Sequence, residues 1–381
     1  MSLVMTVVGQ LVARPLMRLA GAKADTIDDA EIYFRIVTAV LPFNALSMAM
    51  CAAQRGIGNT RITLYVNVTS NVVNVFLNWL LINGIWIFPR WEVKGAAIAT
   101  AIGLCVGSVL ACISLVRRHE GDMGFLRLSV KDDWRFSLPA ARAVVKVGGN
   151  SMLEQIALRI GFFLYARLVA DLGTQAYASH VVCMQFLNLS FTFADGIGVA
   201  STSLVGQMLG RERPDLSHLY GKIAQRIAVV GAVLLASVIV IFRYPLVGLF
   251  TDDPTVARLS ANVMLIVALF QPLQMLSVIT SGALRGAGDT KFVARVMLIC
   301  VAIIRPVLAF SAIRLITQFF TPVYAEAAFA GAAATLTYWL AYEAPEWALL
   351  GAWAASLVDM ALRMGLVMKR FNGGKWHSIK V

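Results

Sequence analysis

A segment of 26 residues, 36–61, recurs without a gap 230 positions later as residues 266–291. Ten positions are identical in the two copies, and each copy closes on a related motif, RGIGNTR in the first and RGAGDTK in the second. The same offset relates Pro15 to Pro245, so the register extends beyond the copied segment. The chain is therefore a duplicated one. In a membrane protein built of two like halves, the substrate site usually lies at the interface of the repeats.

The composition is that of a membrane protein. Hydrophobic residues make up 59% of the chain and charged residues 14%, whereas soluble domains average about 25% charged residues. A membrane-spanning helix needs about 20 mostly apolar residues. Because the apolar stretches are continuous rather than alternating, they exclude a barrel and predict an all-α polytopic fold. Ten transmembrane helices are predicted, near residues 1–20, 35–54, 62–86, 95–116, 149–169, 178–206, 224–250, 256–283, 292–318 and 347–368.

The net charge of +12 follows the predicted membrane topology. Of the Lys and Arg residues between and beside the apolar stretches, twenty fall on one side of the membrane and eight on the other. By the positive-inside rule the richer side is cytoplasmic, and both termini lie there. The basic charge is thus explained without a nucleic acid partner. The sequence predicts a multi-pass protein of the plasma (inner) membrane.

The two copies of the repeat lie in pseudo-symmetric lobes of unequal size. Four predicted helices fall in residues 1–116, the N-terminal lobe, and six in residues 147–381, the C-terminal lobe. Residues 117–146 form a basic cytoplasmic linker, and residues 319–346 are predicted to be an external insertion because their flanking charges are acidic. The first lobe has no counterpart of the helix pair that opens the second. The chain is thus either naturally short or begins at an internal methionine of a twelve-helix protein.

The repeated motif has a plain physical interpretation. Gly56 and Gly58 in the first copy, like their counterparts in the second, allow a tight turn with positive φ. Asn59 or Asp289 can then cap the helix that follows. The flanking Arg and Lys side chains anchor the turn at the anionic inner leaflet, so we interpret the motif as structural.

Three further motifs accompany this one along the chain: VKGAAIAT at residues 93–100, ASTSLVGQ at residues 200–207 and GAWAA at residues 351–355. Together, in this order and spacing, they resemble the motifs of the multidrug and toxic compound extrusion (MATE) transporters. The resemblance covers nearly the whole chain apart from the insertion. It implies a fold of two six-helix lobes, and efflux of organic cations driven by inward movement of Na⁺ or H⁺.

Ionisable side chains within the predicted helices are the first candidates for function, because each costs about 2.5–3.5 kcal/mol at mid-bilayer on insertion scales. Glu154, beside Gln155, lies about one and a half turns into the fifth apolar stretch. A carboxylate there could exchange H⁺ or Na⁺ for a cationic substrate, and the MATE resemblance implies an acid at this position. The alternative is an ion pair with Arg159 that only orients the helix. Asp195 either lines the cavity or marks a helix break.

Carboxamides form a second group of candidates. A stripe of four lies on one face of the third predicted helix, with spacing i, i+4, i+7 and i+11, and comprises Asn67, Asn71, Asn74 and Asn78. It either faces the cavity or hydrogen-bonds to neighbouring helices. Gln274 and its repeat counterpart Asn44 each follow a proline by two residues, where a kink would free backbone groups for a polar site.

The remaining intramembrane charges are predicted to be structural. Asp359 and Arg363 are spaced i, i+4 and should pair, with Arg305 near Asp359 or Glu154. His180 is predicted to be a packed, neutral histidine rather than a proton relay. No nucleotide-binding, metalloprotease or nucleophile motif is present in the sequence, so we predict neither an enzyme nor a cofactor.

The sequence thus predicts a monomeric secondary antiporter in the lipid bilayer that exports organic cations in exchange for H⁺ or Na⁺. No resident metal is predicted, except a Na⁺ ion near Glu154 if Na⁺ is the coupling ion. One alternative is a flippase of lipids or lipid-linked precursors, and another is a truncated membrane protein that does not transport. Hydrophobic residues near the acids would suit a large apolar cation: Phe162, Phe163, Met184, Phe186 and Phe191.

Overall fold

The computed structural model describes residues 2–19, 26–85, 89–116, 137–329, 344–374 and 376. Regular structure throughout these residues is helical, which confirms the predicted all-α class. The chain divides into two compact units, Met1–Arg135 and Phe136–Val381. Among the described helices, seven are long and apolar enough to cross a membrane, or eight if one bent pair is a single span. The predicted number of ten stays a prediction, since the helices at the first and fifth predicted spans, 1–20 and 149–169, are not in this set.

The first unit contains five described helices: α1 (Ser2–Leu19), α2 (Ile27–Ala39), α3 (Leu41–Gly56), α4 (Thr60–Asn83) and α5 (Glu92–Val116). The second predicted span is the bent pair, in which α2 and α3 meet at an angle of 42°. Pro42 lies in the first turn of α3, where its missing N–H needs no helical partner. The proline therefore starts a new helix here instead of bending one.

The second unit holds the longer helices. They are α6 (Leu138–Ala170), α7 (Thr174–Gly210), α8 (Pro214–Gly248), α9 (Pro254–Gly286), α10 (Thr290–Met297), α11 (Arg305–Phe329) and α12 (Ala344–Asn372). A π-helical segment, Leu298–Ile304, joins α10 to α11. Two predicted boundaries differ from these. Helix α6 begins inside the predicted linker, because Pro139 and the alanines after it favour a helix start. Helix α11 continues into the predicted insertion, of which residues 330–343 lie outside the described part of the chain.

Helix α9 forms the core of the second unit, and most of its apolar stretch is buried. It packs against α7 through small residues. A Cβ added at Gly282 or Gly286 would approach backbone atoms of Gly198 or Thr202 to under 3.0 Å. The Thr202 hydroxyl bridges the helices by donating to the carbonyl oxygen of Gly282 over 2.7 Å. This is the close packing that small residues permit between membrane helices.

Prolines disturb the helices of this unit to different degrees. Phe242 has non-helical φ and ψ inside α8, three residues before Pro245, and the π-helical segment ends just before Pro306. Helix α9, in contrast, runs through Pro272 without a break. The Gln271 side chain there donates to the carbonyl oxygen of Val267 over 3.1 Å. A kink is predicted at the proline of each copy of the repeat. The helix is broken next to Pro42 in the first copy and continuous at Pro272 in the second.

The structure of the repeated turn differs in two details from the turn predicted from the sequence. Gly58 and Gly288 have positive φ, 95° and 84°, whereas Gly56 and Gly286 end their helices with ordinary φ. Asn59 caps α4 by accepting from the backbone N–H of Ile62 over 3.3 Å. Asp289 makes no capping hydrogen bond to α10. Its carboxylate instead pairs with Arg370 at 2.7 Å, because α12 brings a guanidinium within reach.

The first glycine of each copy of the motif, Gly56 or Gly286, provides a matched test of the packing of α9 against α7. A Cβ at Gly286 would collide with the α7 backbone, whereas one at Gly56 would meet no atom of the described residues within 4 Å. We expect Gly286→Ala to lower the free energy of unfolding by about 1–3 kcal/mol through overpacking. Gly56→Ala should change it by less than about 0.5 kcal/mol. Denaturant titration of both variants in mixed micelles measures the difference, and equal losses would contradict the α7–α9 contact.

Candidate functional site

The second unit contains a cavity of about 460 Å³, formed by side chains of α6, α7, α9, α10 and α12. Four of these helices contribute charged residues, which are Glu154, Arg159, Asp195, Arg285 and Arg363. Apolar side chains line the rest of its wall, among them Phe162, Met184 and Phe191. The cavity therefore combines ionisable groups with aromatic and thioether surface. Of the five hydrophobic residues expected near the acids, Phe163 and Phe186 are not part of this lining.

Glu154 is the most buried carboxylate on the cavity wall, with 4% of its side chain exposed. Its Oε1 accepts a hydrogen bond from Nη1 of Arg285 over 2.7 Å. The expected partner, Arg159, is exposed on the same helix. That alternative is wrong for a geometric reason: Arg159 is five residues along α6 and off the face of Glu154, whereas the long Arg285 side chain of α9 reaches the Glu154 carboxylate. The motif arginine of the second copy therefore extends into the site rather than serving only as an anchor.

Asp195 and Gln155 line the same cavity as Glu154. Helix α7 is continuous from Thr174 to Gly210, so Asp195 does not mark a helix break. Its carboxylate is exposed and forms no ion pair with any residue in the described part of the chain. The structure thus brings two predicted acids together, one held by an arginine and one open to a ligand.

Asp359 pairs with Arg305, which corrects the predicted pair with Arg363. The distances are 2.9 Å from Nε and 2.8 Å from Nη2 of Arg305 to Oδ2 of Asp359, and both side chains are almost fully buried. Arg305 follows the π-helical segment, and its guanidinium carbon lies 5.2 Å from the centroid of the Phe162 ring, a residue of the cavity wall. Arg363 is also buried, but its guanidinium contacts the sulfur atoms of Met297 and Met360.

The predicted amides lie elsewhere. Gln274 is fully buried, and its two amide atoms have no hydrogen-bond partner among the described residues. Asn44 and Asn67 line a smaller cavity of about 190 Å³ within the first unit. The rest of the asparagine stripe is hydrogen-bonded. Within α4, Asn71 donates to the Asn67 carbonyl oxygen and Asn78 to the Asn74 side chain. Asn74 donates to the Thr100 hydroxyl of α5, which is the inter-helix alternative.

His180 packs among aromatic rings outside the cavity lining. Its ring centroid lies 5.5 Å from those of Tyr165 and Trp353, and 4% of the residue is exposed. Sequence reasoning missed the functional position of Arg285, although this residue is one of the ten identical positions of the repeat. It also missed Asn188, Thr192 and Ser281, which add polar oxygen atoms to the cavity. No sequence signal distinguished these three from other polar residues in helices.

Long apolar helices around a cavity with ionisable side chains define a polytopic membrane protein of the transporter type. The family model for MatE matches residues 1–80 and 151–311, and the chain belongs to this family. Probable multidrug resistance protein NorM of Thermotoga maritima is 27% identical over 350 residues, which cover 91% of this chain and 68% of the relative. The uncharacterized transporter YisQ of Bacillus subtilis is 26% identical over 297 residues, or 76% of this chain and 63% of that one.

Solved structures share the fold. A MATE protein in the straight conformation has a TM-score of 0.78 at 18% identity, covering 98% of this chain and 76% of its own. A MOP superfamily transporter from Pyrococcus furiosus, whose binding pocket is described as reversed in polarity, has the same TM-score and identity. The predicted resemblance to MATE transporters is confirmed. The chain spans 68% and 63% of the two curated relatives above.

The Glu154–Arg285 contact predicts a measurable coupling. Arg285→Gln should leave a buried carboxylate without its partner and destabilise the protein, while Glu154→Gln with Arg285→Gln should recover part of the loss. We expect an interaction energy of about 1–3 kcal/mol in a double-mutant cycle of unfolding free energies. Arg285→Lys, which keeps the charge, serves as the control. Strictly additive single-variant effects would argue against the pair.

The buried Arg305–Asp359 pair gives a second stability prediction. Arg305→Gln should cost about 3–5 kcal/mol of unfolding free energy, because Asp359 would remain buried and uncompensated. The matched control is Arg167→Gln, which breaks an i, i+4 pair with Asp171 whose side chains are 72% and 63% exposed. That change should cost no more than about 0.5 kcal/mol. Similar unfolding midpoints for the two variants would refute the structural role of Arg305.

Proposed function

We propose that this protein is a secondary active antiporter that exports organic cations, drugs among them, in exchange for H⁺ or Na⁺. In this proposal residues 1–116 and 147–381 are the two lobes, joined by the basic linker 117–146, and Glu154 and Asp195 carry the exchange. The supporting observation is that both carboxylates line one cavity with the aromatic rings of Phe162 and Phe191. Membership of the MatE family and the names of its multidrug resistance relatives agree with drug export.

Charge balance in the cavity suggests how exchange would occur. Two carboxylates and three guanidinium groups line it, so the cavity does not carry a surplus of negative charge. An organic cation can bind only while both carboxylates are ionised, with its apolar surface against the rings and Met184. When H⁺ or Na⁺ neutralises Glu154, Arg285 loses its counter-charge and repels the bound cation. Coupling ion and substrate then compete for the same negative charge.

Either coupling ion fits the chemistry of these residues. A proton needs only the Glu154 carboxylate, whereas Na⁺ is a hard cation that prefers several oxygen ligands. Gln155, Asn188, Thr192 and Ser281 offer such oxygen atoms around the same cavity. We place the protein in the inner membrane as a monomer with both termini cytoplasmic, as its charge distribution favours.

A flippase of lipid-linked anions is the second candidate, because one observation favours it. Arg159, Arg285 and Arg363 line the cavity together, and guanidinium groups bind phosphate well. Against this, Arg285 is neutralised by Glu154, and Arg363 is buried against methionine sulfur atoms. Only Arg159 has an exposed guanidinium, whereas Asp195 opposes it with an exposed carboxylate. The cation antiporter therefore accounts for more of the lining.

The experiment is cationic dye efflux from proteoliposomes with an imposed H⁺ or Na⁺ gradient. The wild-type protein should export the dye against its gradient, and Glu154→Gln should reduce gradient-driven export at least about tenfold, since the exchangeable charge is gone. Asp195→Asn should weaken dye binding more than it changes the dependence on the ion gradient. Asp171→Asn, an exposed carboxylate near the end of α6, is the matched control and should retain export.

Two outcomes would contradict the proposal. If wild-type and Glu154→Gln proteoliposomes behave like empty vesicles, this chain does not transport the dye, which corresponds to the truncated, non-transporting alternative. If a fluorescent anionic lipid is translocated while the dye is not, the flippase is the better description.

A further inference from the structure

A second cavity, of about 500 Å³, lies in the second unit between α8, α9 and α12 and shares no lining residue with the first. We call it the α8 basic pocket. One face of α8 supplies residues with spacing i, i+4, i+7, i+8 and i+11: His218, Lys222, Gln225, Arg226 and Val229. Leu276 of α9 and Met368 with Asn372 of α12 form the other sides. Within the residues that the structure describes, no Asp or Glu lines this pocket.

The pocket lies where α8 leaves the hydrocarbon. The 16 residues 227–242 carry no charged side chain and are followed by Arg243, which places the apolar part of α8 between Arg226 and Arg243. At 1.5 Å per residue this part is about 24 Å long, close to the thickness of a bilayer core. Lys222 and Arg226 therefore lie at headgroup depth, on the side that the charge count predicts to be cytoplasmic.

The basic side chains of the pocket are available to a ligand. Lys222 and Arg226 are exposed and form no ion pair with any described residue. Asp215, in the first turn of the same helix, is already engaged by Arg213 at 3.0 Å. Two basic side chains lie one helical turn apart, and no described acid lines the same cavity. Their charge therefore favours the binding of an anion.

One wall of the pocket is rigid. His218 stacks on the Phe371 ring, with centroids 5.0 Å apart and an angle of 8° between the ring planes. Phe371 stacks in turn on Trp376, whose Nε1 donates to the Phe371 carbonyl oxygen over 2.7 Å. Gln225 is oriented by donating to the Thr280 hydroxyl over 3.1 Å. These contacts hold the polar rim in place before any ligand arrives.

Apolar surface continues from the pocket along α8. Val229 lines the inner end of the cavity, and the exposed side chains of Val230 and Val233 follow it toward mid-membrane. A ligand with both an anionic group and hydrocarbon chains would match this arrangement, in which a basic rim is followed by an apolar surface of α8. A free anion would use only the rim.

We propose that the α8 basic pocket binds the phosphate-bearing headgroup of an anionic membrane lipid, with Lys222 and Arg226 as its cationic ligands. Gln225 and Asn372 add amide donors, and the acyl chains lie along Val229 and the exposed face of α8. The site is independent of the antiport mechanism proposed above, since neither its residues nor its charge are part of the first cavity.

The test is lipid binding by the purified full chain in detergent, measured by native mass spectrometry and by quenching with a labelled phosphatidylglycerol. The wild-type protein should retain one phosphatidylglycerol and prefer it to phosphatidylcholine. Lys222→Gln with Arg226→Gln should weaken binding about 30-fold, because each basic residue at an anionic surface contributes about a factor of five. The single variants should give intermediate values.

The matched control is Lys291→Gln with Arg295→Gln, a Lys–Arg pair with the same spacing that is exposed on α10 and lies outside the pocket. It should change the affinity less than about twofold. An equal loss in the control pair would overturn the site, as would equal binding of phosphatidylcholine. Competition by inorganic phosphate at the same affinity as the lipid would overturn the lipid as the source of the phosphate group.

Discussion

The close approach of α7 and α9 is the constraint on which the candidate site depends. Only glycines at 282 and 286 let the α9 backbone lie against that of α7, where the Thr202 hydroxyl joins the two helices. This contact places Asp195 and Ser281 on one cavity and brings Arg285 within 2.7 Å of Glu154. Because two backbones in contact cannot shift without opening a void, the side chains that they carry have little freedom. Small residues thus fix the positions of the charged ones.

The sequence predicted the membrane environment, the all-α class and the family, because these follow from the lengths of the apolar stretches and from motifs that are local in the chain. It also identified Glu154 and Asp195 as candidate site residues, since an acid within an apolar stretch is conspicuous by itself. It placed Arg305 near Asp359 or Glu154, and the first of these alternatives is confirmed, but it assigned the wrong ion-pair partners to the two acids. Glu154 pairs with Arg285 and Asp359 with Arg305, over separations of 131 and 54 residues. Helical spacing favours local partners such as Arg159 and Arg363, and only tertiary packing decides against them.

The repeat shows how equal sequences acquire different environments. Asn59 caps its helix in the first copy, whereas Asp289 pairs with Arg370, a residue that belongs to α12 of the second unit. Gly56 has open space beside it, and Gly286 has the α7 backbone. Pro42 begins a helix, and Pro272 lies inside one. The turn geometry is common to both copies because it depends on the local backbone. The side-chain roles diverge because they depend on neighbours that the copies do not share.

The arrangement of arginines explains why one acid of the site is held and the other open. A buried carboxylate with 4% exposure needs a counter-charge, and Arg285 supplies it from a helix that is itself fixed by close packing. Asp195 is exposed at the cavity surface and needs none. In the proposed antiport mechanism, a cation that enters the cavity meets the exposed carboxylate of Asp195 first, and it competes with the Arg285 guanidinium for Glu154. The two acids would then bind cations with unequal strength, so that coupling ion and substrate can displace one another in separate steps.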